Sequence, residues 1–234
     1  MPPRDLLVRF TRAERAIHHV TALLMLVCLV TAALLYIPPL SAAVGRRDLI
    51  RPLHIWAGYA LPVPVLLGLV SRAFRADLRR LDRFGPRDWE WLRRADRRAV
   101  TRAGPVARGV VPVGKFNPGQ KLNAAFTAGA ILVMLGTGTI LTFPAPWPDR
   151  WRGGATFVHD WLFVVIVVVT LGHLWYALRD RGALGAMVTG RVDRAWAARH
   201  HPGWLDELDG RDRTPGARAA GPPADRVDTT PDRS

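Results

Sequence analysis

The sequence predicts an all-α membrane protein, a four-helix transmembrane bundle with both termini in the cytoplasm. Three observations carry that expectation. Hydrophobic residues make up 49% of the 234, an ordinary share, yet they are gathered into four long blocks. Arginine-rich stretches separate the blocks. Five of the seven histidines stand at or inside the blocks, and four of them, His18, His54, His159 and His173, form a pattern.

The first block runs from about His18 to Ile37 and stops at Pro38-Pro39. The second runs from His54 to Phe74, the third from Leu122 to Phe143, and the fourth from Phe157 to Leu178. Each is close to the ~20 residues that cross ~30 Å of hydrocarbon. In lipid only a helix satisfies its own backbone over such a length, so all four are expected to be helical. Pro62 and Pro64 are expected to kink the second. The first block is too long for a cleavable leader and has no small-residue cleavage site behind it.

Charge sets the orientation. Residues 72–121 hold 14 basic and 5 acidic residues, a net +9, against +2 for 38–53 and +1 for 144–156. The positive-inside rule puts 72–121 in the cytoplasm, and four spans then bring both termini there. Trp56, Trp147, Trp151, Trp161, Trp175 and Tyr176 lie near block ends, as interfacial aromatics do. The net charge of +14 thus reads as membrane topology, with a lipid bilayer and no nucleic acid as partner. Arg72 and Arg179 are read the same way. The single cysteine, Cys28, excludes an intramolecular disulfide, a thiolate cluster and covalent CxxCH haem.

The histidines supply the chemistry. His18 opens the first helix on the inner side, and His54 opens the second on the outer side. His159 and His173 sit near the outer and inner ends of the fourth. Their 14-residue spacing falls 40° short of four turns, so they share one face about 21 Å apart. His18 with His173, and His54 with His159, therefore make two pairs at two depths, as two six-coordinate b haems require. Interfacial anchoring of single histidines and a proton relay are the competing readings. A relay leaves the split into two levels unexplained, and a metal transporter lacks acidic partners at mid-membrane depth. Ionisable groups inside a span default to function.

Four segments follow: a cytoplasmic lead at 1–17, a transmembrane dihaem domain at 18–178 with a basic loop at 75–121, a basic and aromatic segment at 179–208, and a disordered tail at 209–234.

The segments ERAIHH (14–19), RPLHIWAG (51–58), VGKFNPGQKLN (113–123), TFVHDW (156–161), LGHLWYA (171–177) and GRVDRAWAARHHPGW (190–204) carry a family likeness. Over residues 9–204 the chain resembles the gamma subunit of respiratory formate dehydrogenase. That family is a dihaem cytochrome b related to the cytochromes b of nickel–iron hydrogenase and thiosulfate reductase. The resemblance implies His18 and His173 as ligands of the inner haem, and His54 and His159 as ligands of the outer haem. It also implies a quinone pocket at Asn117, Gly119 and Gln120, with menaquinone expected, where residue type alone favours a turn capping the third helix. An iron–sulfur beta subunit and a catalytic molybdopterin alpha subunit are the implied partners, in a bacterial cytoplasmic (inner) membrane. The chain itself is then an electron conduit and does not act on formate. His19 stands where the family has an aromatic, and is expected to face headgroups or a haem propionate. His200 and His201 are expected on a solvated surface or a partner contact. The alternatives are a cytochrome b of hydrogenase, thiosulfate reductase or a free-standing b561-like quinone oxidoreductase, or a haem-free scaffold or transporter.

Overall fold

A computed structural model of the chain describes residues 5–94 and 112–213. Residues 1–4, the middle of the basic loop at 95–111 and the tail at 214–234 lie outside the described residues.

Helix α1 (Arg12–Tyr36) starts on a capping box. The Thr11 amide donates to Glu14 Oε2 at 2.6 Å, and the Glu14 amide donates back to Thr11 Oγ1 at 3.3 Å. Short α2 (Pro38–Val44) follows and ends at Gly45, whose φ of 63° suits a residue without a Cβ. The second apolar block divides into α3 (Arg47–Ala60) and α4 (Val63–Gly68), with Leu61 and Pro62 at the break. Pro62 and Pro64 have no amide hydrogen to continue the ladder, so the division has a local cause. The expected span reached Phe74. Instead the chain bends by 107° after Gly68, and α5 (Arg72–Asp82) leaves the bundle axis, followed by α6 (Pro86–Arg94).

Helix α7 (Pro118–Thr142) and helix α8 (Asp149–Arg179) form the second hairpin. Three helices, α1, α7 and α8, are each long and apolar enough to cross a membrane, and the bent second block makes up to four. Their apolar side chains face outward, for example Leu67 at 68%, Leu132 at 69% and Val168 at 64% exposure, as lipid-facing surfaces do.

The apolar core lies elsewhere. Helix α9 (Arg181–Thr189), strand β2 (Arg191–Asp193), helix α10 (Arg194–His200) and helix α11 (Pro202–Arg213) fold into a cap at one end of the bundle. The core of the cap is Ala186, Val192, Trp196, Ala197 and Trp204. Strand β1 (Leu6–Val8) pairs antiparallel with β2, Leu7 opposite Val192, a small sheet in a chain expected to be wholly helical. Gly190 makes the turn into β2 with φ at 82°, and a Cβ there would meet the Phe10 carbonyl at 2.5 Å. Helix α11 also runs to Arg213, past residue 209 where the tail was expected to begin.

Candidate functional site

The two hairpins bring the four span histidines together in the expected couples. Near the cap, His18 of α1 faces His173 of α8, with ring centroids 6.4 Å apart and planes at 50°. Near the opposite end, His54 of α3 faces His159 of α8, with centroids 6.3 Å apart and planes at 72°. An imidazole–metal bond is ~2.0 Å long and the ring centroid lies ~1.15 Å behind the nitrogen, so two imidazoles across one metal have centroids ~6.3 Å apart. Both couples match that separation. Among the described residues no group of three or more His, Cys, Asp or Glu gathers that could hold a metal ion. A free divalent ion takes at least four ligands, whereas iron in a porphyrin already has four and takes two more. The residues present therefore fit haem.

The His54–His159 couple, at the end away from the cap, has supports that the sequence did not point to. Thr31 Oγ1 of α1 lies 2.9 Å from His54 Nδ1, and Thr137 Oγ1 of α7 lies 2.8 Å from His159 Nδ1. Each hydroxyl donates its one proton to a carbonyl a turn earlier, Val27 at 2.6 Å and Val133 at 2.8 Å. Its oxygen must then accept from Nδ1–H. That fixes both rings as Nδ1–H tautomers, with Nε2 bare and able to bind a metal. Gly138, next to Thr137, lets α7 approach closely: a Cβ there would stand 3.4 Å from the His159 ring. The signal in the sequence was only a polar residue at the depth of a candidate ligand.

His19 stands beside the inner couple, its ring centroid 5.4 Å from that of His18. Its Nε2 donates to the Met187 carbonyl of α9 at 3.0 Å, which ties it to the cap.

Asn117 and Gln120 form the second capping box, at the start of α7. The Gln120 amide donates to Asn117 Oδ1 at 2.8 Å, and the Asn117 amide donates to Gln120 Oε1 at 3.0 Å. The box uses both side-chain oxygens and leaves both side-chain NH2 groups out of it. Gly119 is exposed between them.

The cap clamps this loop from behind. His201, expected on a solvated surface or a partner contact, is 3% exposed. Its Nδ1–H donates to the Gly114 carbonyl at 2.7 Å, so its Nε2 is the acceptor for Arg9, 3.0 Å away. Burial, and then the Arg9 guanidinium, push the His201 pKa down to about 3. Burial likewise lowers Arg9 to about 10, with the Asp180 and Asp77 carboxylates opposing. Arg9 also donates to the Lys115 carbonyl at 3.0 Å, and the Trp204 amide donates to the Val113 carbonyl at 3.2 Å. Lys115 itself is buried and bonds Asp77, with Glu14 Oε1 3.6 Å away. The HHPGW stretch thus packs against the loop that leads into Asn117.

A family profile for prokaryotic cytochrome b561 matches residues 9–190. The chain belongs to the prokaryotic cytochrome b561 family. Membership brings haem b binding and a multi-pass membrane protein with it. The chain is similar to the formate dehydrogenase cytochrome b556(fdo) subunit of Escherichia coli K12, 29% identical over 219 residues, which cover 89% of this chain and 96% of that protein. It is also similar to the nitrate-inducible formate dehydrogenase cytochrome b556(Fdn) subunit of the same strain, 31% identical over 103 residues, 43% of this chain and 48% of that one. For a cytochrome b561, the histidine couples are the natural haem-binding candidates.

Proposed function

We propose that the chain is the membrane-anchoring cytochrome b subunit of a formate dehydrogenase, holding two b haems between an outer iron–sulfur beta subunit and a quinone. The catalytic molybdopterin alpha subunit would lie beyond the beta subunit. The observation that carries this reading is the two histidine couples, each at the separation that one six-coordinate iron requires.

The bundle then has four spans, α1, α3 with α4, α7 and α8. The cap and both termini lie on the cytoplasmic side of a bacterial inner membrane, because the arginines gather there. His54 and His159 hold the outer haem, and His18 and His173 the inner one. When bound, haem b supplies reversible one-electron transfer by its iron. The chain fixes the depth of each ligand pair: both couples use α8, whose His159 and His173 are about 21 Å apart along its axis. The fixed ligands need no rearrangement when the charge changes.

Beside the inner couple, the free amide NH2 groups of Asn117 and Gln120 and the backbone at Gly119 are donors for the carbonyl oxygens of a quinone, menaquinone in this reading. At the start of α7 Pro118 has no N–H and the Gln120 amide is taken by the cap, so the Gly119 N–H, at the positive end of the helix dipole, is the backbone donor that favours a developing negative charge. Its protons would come from the cytoplasmic side. The capping box favours a second reading, in which this loop only starts α7.

The test is a dithionite-reduced minus oxidised spectrum of the purified protein with a pyridine haemochromogen count. About two b haems per chain is the expected result. A count of one removes one couple from the reading, and none, in protein made with ample haem, sinks it in favour of a scaffold.

A further inference from the structure

The two histidine couples are held differently. Both rings of the outer couple are anchored at Nδ1 by threonine hydroxyls, Thr31 for His54 and Thr137 for His159. Among the described residues, the rings of His18 and His173 in the inner couple make no such bond to a hydroxyl. Thr31 is 4% exposed, so water does not compete for its contact.

The direction of these bonds is fixed by proton count. A threonine hydroxyl carries one hydrogen, and here it goes to the carbonyl of Val27 or Val133. Neutral imidazole carries one N–H, and it must sit on Nδ1 to meet the remaining oxygen lone pair. Donation from Nδ1–H shifts electron density toward Nε2, so the ring becomes a more basic ligand. A more basic axial ligand stabilises ferric over ferrous iron, which lowers the reduction potential. Neither threonine belongs to the helix whose histidine it holds. Thr31 reaches from α1 to α3, and Thr137 from α7 to α8, so each also fixes a ring's rotation by packing between helices.

We propose that Thr31 and Thr137 are positioning residues that orient His54 and His159 and set the outer haem at a lower potential than ring ligation alone would give it. The inner couple has no equivalent pair of hydroxyl acceptors. The difference inclines electron flow from the outer end of the bundle toward the cap. In this arrangement α7, which carries no histidine, contributes to a haem site through one side chain.

This inference rests on the reading that His54 and His159 are axial ligands, and the two fail separately. Substitution His54→Ala identifies the outer signal, because one b haem should be lost; retention of both overturns the ligand assignment and the inference with it. Redox titration of the purified protein, followed in the reduced haem spectrum, then compares Thr137→Val, Thr31→Val and the hydroxyl-retaining Thr137→Ser. The valine variants should keep two haems and raise the outer midpoint while the inner midpoint stays put. The serine variant should titrate like the wild type. Loss of the outer haem from Thr137→Val but not from Thr137→Ser also supports the hydroxyl's role. An unchanged outer midpoint in both valine variants, or a serine variant that behaves like valine, overturns it.

Discussion

Acid should loosen the cap, and His201 is the reason. In the folded protein the ring is neutral, because its Nδ1–H is bonded to the Gly114 carbonyl and its Nε2 accepts from the Arg9 guanidinium. A second proton on Nε2 would confront that cation in a buried site, which is why the pKa falls from 6.5 to about 3. In the opened cap the ring returns to its ordinary value. A lowered folded pKa gives stability that is fully present above the unfolded pKa and is lost as pH falls toward the folded one. The window is therefore pH 6.5 down to about 3. Each unit of descent costs about 1.4 kcal/mol, so at pH 5 the cap should be about 2 kcal/mol weaker than at pH 7.5, a roughly thirtyfold rise in its open fraction. Asp77 lies on α5, off the bundle axis, and works in the opposite sense. Burial, and a hydrogen bond with Glu14, raise its carboxyl to about 6 against the pull of Lys115. Comparison with a variant is therefore needed to isolate the histidine. His201→Gln keeps a donor and an acceptor but does not titrate. Hydrogen exchange at the Trp204 amide, which bonds the Val113 carbonyl, reports cap opening in the intact protein. The acid-induced gain in opening should be about thirtyfold greater in the wild type than in His201→Gln. Equal pH responses in the two proteins would refute the buried neutral histidine.

Single replacement of His173 or of His54 by Ala should remove one b haem each and leave the other spectrally intact; two haems retained in either variant would break the couples. Gln120 separates the two readings of its loop. Gln120→Glu retains the side-chain oxygen of the capping box but loses the NH2, so quinone reduction should slow with haem content and α7 intact, whereas Gln120→Ala also loses the cap, a cost of about 1 kcal/mol. Normal turnover in Gln120→Glu would reduce the loop to a helix start. Gly190→Ala places a Cβ on a residue with φ at 82° and against the Phe10 carbonyl, and should destabilise the cap by at least 1–2 kcal/mol, roughly the cost of a strained backbone conformation, in the same exchange measurement. An unshifted cap would mean that β1 and β2 do not hold it.

The apolar helices α1, α7 and α8 were legible because a stretch of about 20 predominantly apolar residues with almost no charge has few other uses. The second block was legible as a block but not in its path. Pro62 and Pro64 announced a break, yet the turn after Gly68 depends on tertiary packing: a Cβ at Gly68 would meet Ile17 of α1 at 2.5 Å. The couples of histidines could be read from a spacing on one helix plus topology. The threonines could not, since a threonine in a span is common and acquires its role only from the ring opposite. Strands β1 and β2 escaped entirely. Three residues show no alternation to read, and the partners lie more than 180 positions apart in the chain. The expectation of a solvated surface or a partner contact at His201 missed its burial within the chain for a related reason. Its burial is produced by Arg9 and the 113–115 backbone, neither of which is near it in sequence.

The position of Arg9 explains why the cap and the bundle behave as one piece at this end. Arg9 precedes α1, yet it bonds the Lys115 carbonyl ahead of α7 and the His201 ring between α10 and α11. Its guanidinium also lies 4.8 Å from the Trp196 ring, over the apolar core of the cap. One buried cation thus touches the start of the first helix, the approach to the third apolar helix and the closing motif of the chain. A buried cation that lost these neutral acceptors would be left unsatisfied, at a cost of roughly 1–3 kcal/mol or more. The loop before Asn117 is therefore not free to move by itself. A ligand at Asn117 and Gln120 would meet a surface set by residues from both ends of the sequence. The His54–His159 couple stands at the opposite end, where the Thr31 and Thr137 hydroxyls hold the rings and the Cys28 carbonyl is a further acceptor for His54. The cap end is thus cross-linked by buried charge, Arg9 on the Lys115 carbonyl and Lys115 on Asp77, whereas the rings of His54 and His159 rest on uncharged contacts between helices.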